Sequence, residues 1–285
     1  MSWSSASNRS EVENRLRRIG GQDDAEIDVA EAALLLAALD RPQLSLERYR
    51  HHLSLLTRDI ADLAEKEGVE ASLEARVAVL NAVLVERYGY RGDREDYENL
   101  HNANLMRVID RRRGLPVALG ILYLHGARAQ GWEICGLNFP GHFLLRLDLG
   151  AARAIIDPFH GGETRDAMTL RALLKTMAGE KAELRPEHTQ PVGCREVLLR
   201  LQNNIKQRLV REERSGEALE IVETMLMIAP ERGGLWREAG ILHSHLDNMR
   251  AAILAFEHYL ELAAPGEPGR QDIAELLRQL RRQLN

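Results

Sequence analysis

Apolar side chains recur along most of this 285-residue chain at spacings of three and four residues, the pattern of amphipathic helices. The pattern predicts helices over residues 26–39, 44–67, 72–88, 102–113 and 168–177. Between these segments, Pro116 opens a further stretch to Gln130 that is apolar on every side. A helix without a polar face is a buried helix, so this one is expected at the centre of its domain.

The hydrophobic period changes after Gly131, where alternating positions indicate strands. The pattern predicts three strands, over residues 132–137, 142–147 and 154–156. Pro140-Gly141 and Leu149-Gly150 supply the turns between them. Short strands joined by tight turns favour a small antiparallel sheet.

The last third of the chain is helical and repeats itself. Two segments align without a gap at an offset of 35 residues, Glu217–Pro230 and Ala252–Pro265. A period near 34 residues with paired helices and a closing proline is typical of tetratricopeptide repeats. Trp236 and Gly240 fall where such a repeat places a large residue and a small one. We expect about two repeats and a capping helix over 271–284.

Together these elements predict an α+β fold followed by an all-α repeat domain. The expected divisions are a flexible N-terminal tail over 1–24, a mainly helical domain with a small antiparallel sheet over 25–177, a linker over 178–193, and helical repeats over 194–285. The tail is expected because its first residues are polar, and the linker because it contains Gly, Pro and several charges.

Composition excludes several classes of function. A net charge of −5 and an isoelectric point near 6.1 give no basic surface for nucleic acid. No apolar run reaches the length of a membrane span, and the N-terminus lacks an apolar signal segment. Two cysteines, Cys135 and Cys194, cannot build a disulfide framework, which favours a reducing, cytoplasmic compartment.

Four stretches carry a resemblance to a known family: NANLMRVIDRRRGLPVALGILYL (102–124), NFPGHFLLRLD (138–148), IIDPFHGG (155–162) and PVGCREVLLRLQNNIK (191–206). The chain resembles the SirB-type transglutaminase-like proteins over residues 26–285. Those proteins join a transglutaminase-like domain, which shares its fold with papain-type cysteine proteases, to C-terminal tetratricopeptide-like repeats.

The resemblance implies a site. His142 takes the place of the catalytic histidine, Asp157 that of the catalytic aspartate, and Pro116 that of the nucleophilic cysteine. A cysteine works as a thiolate beside a helix N-terminus and a histidine, and proline offers no such group. The matching stretches also nominate four candidate binding residues: Asn102, Arg113, Gly141 and Phe143.

Other assignments remain open. His142 is alternatively a turn residue that satisfies a buried strand end, or a retained binding residue. Cys194, Cys135 or water could replace the missing nucleophile. A metal site of His142, Asp157 and His160 is the weaker interpretation, because their spacing matches no standard motif. Among Arg111–Arg113 we consider helix capping and solvation, or one guanidinium holding a carboxylate near the site.

We therefore expect a degenerate transglutaminase-like protein, a pseudoenzyme, that serves as a protein-binding or regulatory module. Its expected partner is a protein or peptide bound by the helical repeats, with no cofactor, nucleic acid or membrane. The alternative is a hydrolase or transferase that acts on peptide amides through His142 and Asp157.

Overall fold

The computed structural model describes the backbone of residues 3–69 and 72–284, and side chains from residue 9 onward within those ranges. The helices are α1 Trp3–Gly20, α2 Val29–Asp40, α3 Leu46–Glu67, α4 Leu73–Asn81, α5 Leu105–Arg111, α6 Pro116–Ala129, α7 Ala167–Ala178, α8 Cys194–Arg211, α9 Ser215–Ile228, α10 Gly233–His245, α11 Met249–Leu262 and α12 Arg270–Leu284. A π-helical turn, Ala82–Arg87, continues α4. The strands are β1 Arg91–Gly92, β2 Arg113–Gly114, β3 Glu133–Leu137, β4 Leu145–Leu149, β5 Ala152–Asp157, β6 Glu163–Thr164 and β7 Pro191–Val192. The α+β fold class is confirmed.

Within the described residues, one antiparallel sheet has the strand order β6-β5-β4-β3-β7. Its register places Leu145 of β4 opposite both Gly136 of β3 and Ile156 of β5. The sequence predicted only the three central strands. The outer strands β6 and β7 are two residues long, and so short a segment carries no alternation pattern.

His142 lies in a bend before β4, so the prediction that it opens a strand is wrong. Gly141 has φ +69°, a left-handed conformation that turns the chain directly before the histidine. The ladder between β3 and β4 extends to a bond from the Leu137 N–H to the Leu144 carbonyl, at 2.9 Å. His142 is therefore carried by the turn, not by the pleat of the sheet.

Helix α6 is buried, as its apolar sequence predicts. It packs closely against its neighbours because two of its positions are glycine. A Cβ at Gly120 would lie 2.4 Å from the Phe143 ring, and one at Gly126 would lie 2.5 Å from Ile60 Cδ1. The sheet and α3 thus approach α6 at distances that no larger residue permits.

The helix predicted over 102–113 is shorter in the structure. It begins at Leu105 and ends at Arg111; the C-cap residue Arg112 has φ +58°, and the chain continues as β2. Strand β2 pairs in parallel with β1, Arg113 opposite Arg91. Gly114 is therefore a strand residue, opposite Gly92 of β1.

The N-terminal region expected to be a flexible tail contains α1 instead. Val12 and Leu16 lie one helical turn apart and are fully buried, at 3% and 0% exposure. These two apolar positions are the sequence signal for α1, and the polar residues around them obscure it. Residues 1 and 2 lie outside the described residues.

The segment predicted as a linker, 178–193, is folded as well. Its last residues form β7, which pairs with β3. Ala182 and Leu184 pack against a core cluster that contains Leu170 and Leu174 of α7. Scattered Gly, Pro and charges indicated a loop correctly, but not that the loop covers one face of the sheet.

The described chain divides into two compact units, residues 3–9 with 23–201 and residues 10–22 with 202–284. In the second unit, α10 and α11 meet at a glycine: a Cβ at Gly240 would lie 2.4 Å from the Phe256 ring. None of the described helices combines the length and the hydropathy needed to cross a bilayer.

This close approach predicts the effect of a minimal substitution. Gly240→Ala should destabilise the protein by about 1–3 kcal/mol, because the added methyl group overpacks the contact with Phe256. Gly234→Ala in the same helix is the matched control, since no atom lies within 4 Å of its Cβ position. It should be neutral or stabilising. Urea denaturation would measure both, and equal stabilities would contradict the packing argument.

Candidate functional site

The start of α6 is fixed by a buried asparagine. The Leu115 N–H donates to the Asn102 carbonyl at 2.9 Å, immediately before Pro116 enters the helix. The fully buried Asn102 side chain donates to the Asp96 carbonyl at 2.7 Å. Asn102, predicted as a binding residue, therefore anchors the position that the family resemblance assigns to the nucleophile.

One guanidinium of the triple-arginine segment holds a carboxylate, as one of the two interpretations expected. Arg111 donates to Asp93 Oδ2 and to Asn102 Oδ1, both at 2.8 Å. Burial alone would raise the pKa of Asp93, but hydrogen bonds from the Asp96 N–H and Arg111 hold that pKa below its ordinary value. Arg113, a candidate binding residue, lies in β2 and is half-buried.

His142 and Asp157 meet in the structure. His142 Nε2 lies 2.9 Å from Asp157 Oδ1, and the two side chains are 3% and 0% exposed. An ionised carboxylate only accepts, so the proton is assigned to Nε2, and in the neutral form of the ring the lone pair lies on Nδ1. This tautomer is the one that a histidine needs in order to act as a base on the side opposite the carboxylate.

Asp157 binds more than this one histidine. Its Oδ1 accepts from the Phe159 and His160 N–H groups at 3.2 and 3.3 Å. Its Oδ2 accepts from His160 Nδ1 at 2.8 Å and from Arg165 Nη2 at 2.9 Å. Burial alone would raise the pKa of Asp157, but the bond and charge of His142, with those of His160, hold it far below its ordinary value.

The turn that carries His142 is packed on both sides. Met177 of α7 lies against Gly141, where a Cβ would be 2.9 Å from its side chain. The Phe143 ring fills the space between Gly120 of α6 and Gly136 of β3. Gly141 and Phe143, both predicted as binding residues, therefore have packing contacts that shape the turn.

The ligand atoms of His142, Asp157 and His160 lie within 4.8 Å of one another, the set that the metal interpretation named. His142 Nε2 and His160 Nδ1 already donate to the Asp157 carboxylate, and Arg165 adds a fixed positive charge beside it. A bound cation would have to displace those protons and tolerate the guanidinium. Hydrogen bonding to one shared carboxylate accounts for the cluster.

Neither cysteine is arranged as a nucleophile beside this pair. Cys135 on β3 packs with the cluster of Leu170 and Leu174, on the face of the sheet toward α7. Burial raises the pKa of its thiol, which disfavours the thiolate. Cys194 is 4% exposed, and its sulfur accepts a hydrogen bond from Arg128 at 2.9 Å.

Sequence reasoning missed the roles of His160 and Arg165 around the carboxylate. His160 follows Asp157 by three residues, inside a short 3₁₀ turn whose N-cap is Asp157 itself. That spacing was a usable signal, because an N-cap aspartate can bind groups two and three residues on. Arg165 reaches the site only because β6 folds back on β5, which no local pattern revealed.

The buried carboxylate predicts a pH-dependent stability. Asp157→Asn should lower the free energy of unfolding by about 3 kcal/mol at pH 7, because it removes the charge that its donors surround. The folded pKa is lowered, so the carboxylate's contribution is complete above its unfolded pKa of about 3.9 and declines as the pH falls below it. The difference between wild type and variant should therefore be constant from pH 7 to 5 and shrink below pH 4.

Urea denaturation at several pH values would measure this difference, with Asp62→Asn as the exposed-carboxylate control. The control should follow wild type throughout. A difference that stayed constant down to pH 3 would contradict the assignment of the buried charge.

Comparisons with known proteins identify the family of the chain. The Transglutaminase-like superfamily model matches residues 47–203, and a Tetratricopeptide repeat model matches 205–285. A UPF0162 protein of Vibrio cholerae is 32% identical over 258 residues, 90% of this chain and 92% of that protein. Protein SirB1 of Salmonella typhimurium is 27% identical over 221 residues, 77% of this chain and 80% of that protein.

A shorter match extends beyond bacteria. F-box only protein 21 of Mus musculus is 39% identical over 92 residues, 32% of this chain and 15% of that protein. No solved structure matches the chain significantly. The match to more than half of the chain, together with the extended identity to the UPF0162 and SirB1 proteins, confirms the resemblance: this chain belongs to the transglutaminase-like superfamily, in the branch that carries C-terminal tetratricopeptide repeats.

Proposed function

We propose that this protein is a catalytically degenerate transglutaminase-like protein that serves as a protein-binding or regulatory module. The observation that carries the proposal is Pro116, which stands buried in the first turn of α6 where the resemblance assigns the nucleophile. Proline is favoured there, because the N–H at the first helical position has no partner within the helix and the fixed φ of proline suits the helix. The position therefore favours helix formation and offers no group for covalent chemistry.

The surroundings of His142 support the same proposal. The Phe159 ring stands edge-on to the imidazole, with ring centroids 6.1 Å apart. The His160 ring lies 5.8 Å away, and the His142 side chain is only 3% exposed. Little of the imidazole surface is therefore open to a peptide substrate. The pair acts instead as a buried polar centre that fixes the turn and the end of β5.

The repeat unit offers the surface for a partner. Leu254 and Leu262 on α11 are 58% and 41% exposed. They are eight residues apart, so they lie near one face of the helix. Tetratricopeptide repeats commonly bind proteins or peptides along such helical surfaces. We place the partner, a protein or peptide, on the repeats, and the protein in a reducing, cytoplasmic compartment, which its two free cysteines favour.

Partner capture by photo-crosslinking, followed by affinity measurement, tests this assignment. Leu254→Glu should weaken binding at least tenfold, because a charge would replace an apolar contact. Met168→Glu, at a 71% exposed apolar position of α7 in the first unit, is the matched control and should bind like wild type.

The His142→Ala variant distinguishes partner binding by the repeats from a catalytic role of the His142–Asp157 pair. It should leave partner affinity near wild type if binding resides in the repeats. Loss of the cellular role in a folded His142→Ala protein with intact binding would overturn the degenerate-domain proposal, as would crosslinks confined to the first unit.

A second candidate, hydrolysis or transfer at peptide amides, is favoured by one observation. The Nε2 bond to Asp157 leaves Nδ1 of His142 as the basic nitrogen, the arrangement that would activate water or a substrate group. An assay of amide hydrolysis and amine transfer on peptide libraries tests it. Turnover lost in both His142→Ala and Asp157→Asn, but kept in Cys135→Ser and Cys194→Ser, would establish a water-activating enzyme.

A further inference from the structure

The fourth stretch of the family resemblance, residues 191–206, contributes a residue to the His142 turn. This stretch contains β7 and most of α8, and the start of α8 is fixed by an aspartate. The N–H groups of Cys194 and Arg195 each donate to the Asp24 carboxylate at 2.8 Å. Val197 and Leu198 on the next turn are buried. The helix is therefore held in place before it reaches Arg200.

Arg200 reaches from α8 to the backbone of the turn. Its Nη2 donates to the Phe139 carbonyl at 2.7 Å and, by a short bond, to the carbonyl of His142 itself. Its guanidinium carbon lies 5.6 Å from the centre of the Phe143 ring, over the ring face. One side chain thus contacts the residues on both sides of the left-handed Gly141.

Burial of the Arg200 guanidinium is unfavourable in free energy. Burial lowers the pKa of Arg200, while the charge of Glu196 on the preceding turn of α8 and the Tyr97 hydroxyl oppose that shift. Desolvating a guanidinium is unfavourable unless hydrogen bonds and a ring face replace water. The two carbonyls and Phe143 supply that replacement, and they belong to the segment that carries the histidine.

We propose that Arg200 is a positioning residue for His142. Gly141 gives the turn a bend that most residues adopt rarely, and His142 lies outside the strand that follows. Its main chain therefore receives its fixed place from Arg200, and its ring receives its direction from Asp157. Fixed at both points, the imidazole presents Nε2 to the carboxylate. This role goes beyond the proposed function, because it holds whether the pair is a remnant or still catalyses a reaction.

Nuclear magnetic resonance of the imidazole N–H groups tests the proposal in the full-length protein. Wild type should show a protected Nε2–H signal from His142. In Arg200→Lys the exchange of that proton with solvent should rise about tenfold, because a compact ammonium cannot reproduce the planar contacts to two carbonyls and a ring. In Arg200→Met, which removes the hydrogen bonds altogether, exchange should be faster again.

Arg146→Lys is the matched control, an arginine of β4 that pairs with Asp148 in the same sheet. It should leave the His142 signal at its wild-type position and exchange rate. A folded Arg200→Lys protein with wild-type exchange at His142 would overturn the proposal, as would an equal change in Arg146→Lys. If Arg200→Met fails to fold, the comparison of the two lysine variants decides alone.

Discussion

The charge of Asp157 is the constraint on which the first unit depends. A carboxylate with no exposed side-chain surface is unfavourable unless donors surround it, and here two histidines, an arginine and two backbone N–H groups do so. Those donors come from the His142 turn, from the 3₁₀ turn after β5, and from the segment after β6. Hydrogen bonding to one carboxylate therefore brings three separate segments of the chain together.

Small residues provide the second condition for this arrangement. Phe143 follows the histidine directly, and its ring is admitted by Gly120 on α6 and Gly136 on β3. Because the ring occupies that space, the turn cannot withdraw from the sheet without opening a cavity. Packing of the Phe143 ring thus limits the movement of the turn, and the carboxylate orients the imidazole.

Much of the fold could be predicted from the sequence, because periodic apolar positions report directly on helices and on the central strands. The buried character of α6 and the repeat helices follow from such patterns. The pairing of His142 with Asp157 came from the family motifs PGHF and DPF. The parts that escaped prediction depend on tertiary contacts. Among the described side chains of α1, the deeply buried apolar ones are Val12 and Leu16, which stand in polar sequence, and β6 and β7 are too short to show a period.

The candidate site shows the same division. Residues within a motif were identified. Arg165 lies only 8 residues from Asp157 but reaches it through the folding back of β6, and Arg200 reaches the turn from α8, 61 residues from Phe139. The arginine segment 111–113 could be assigned only in general terms. The choice of Arg111 as the carboxylate partner depends on where Asp93 lies, which charge patterns do not reveal.

The two family matches meet between residues 203 and 205, and that junction lies inside the uninterrupted helix α8. A recombination event or a designed truncation at this point would divide one helix into two short pieces, and helical segments shorter than about 12 residues are marginal in water. The modules are therefore poorly suited to exchange as independent cassettes. A gene fusion that reused one of them would have to carry the whole of α8 with it.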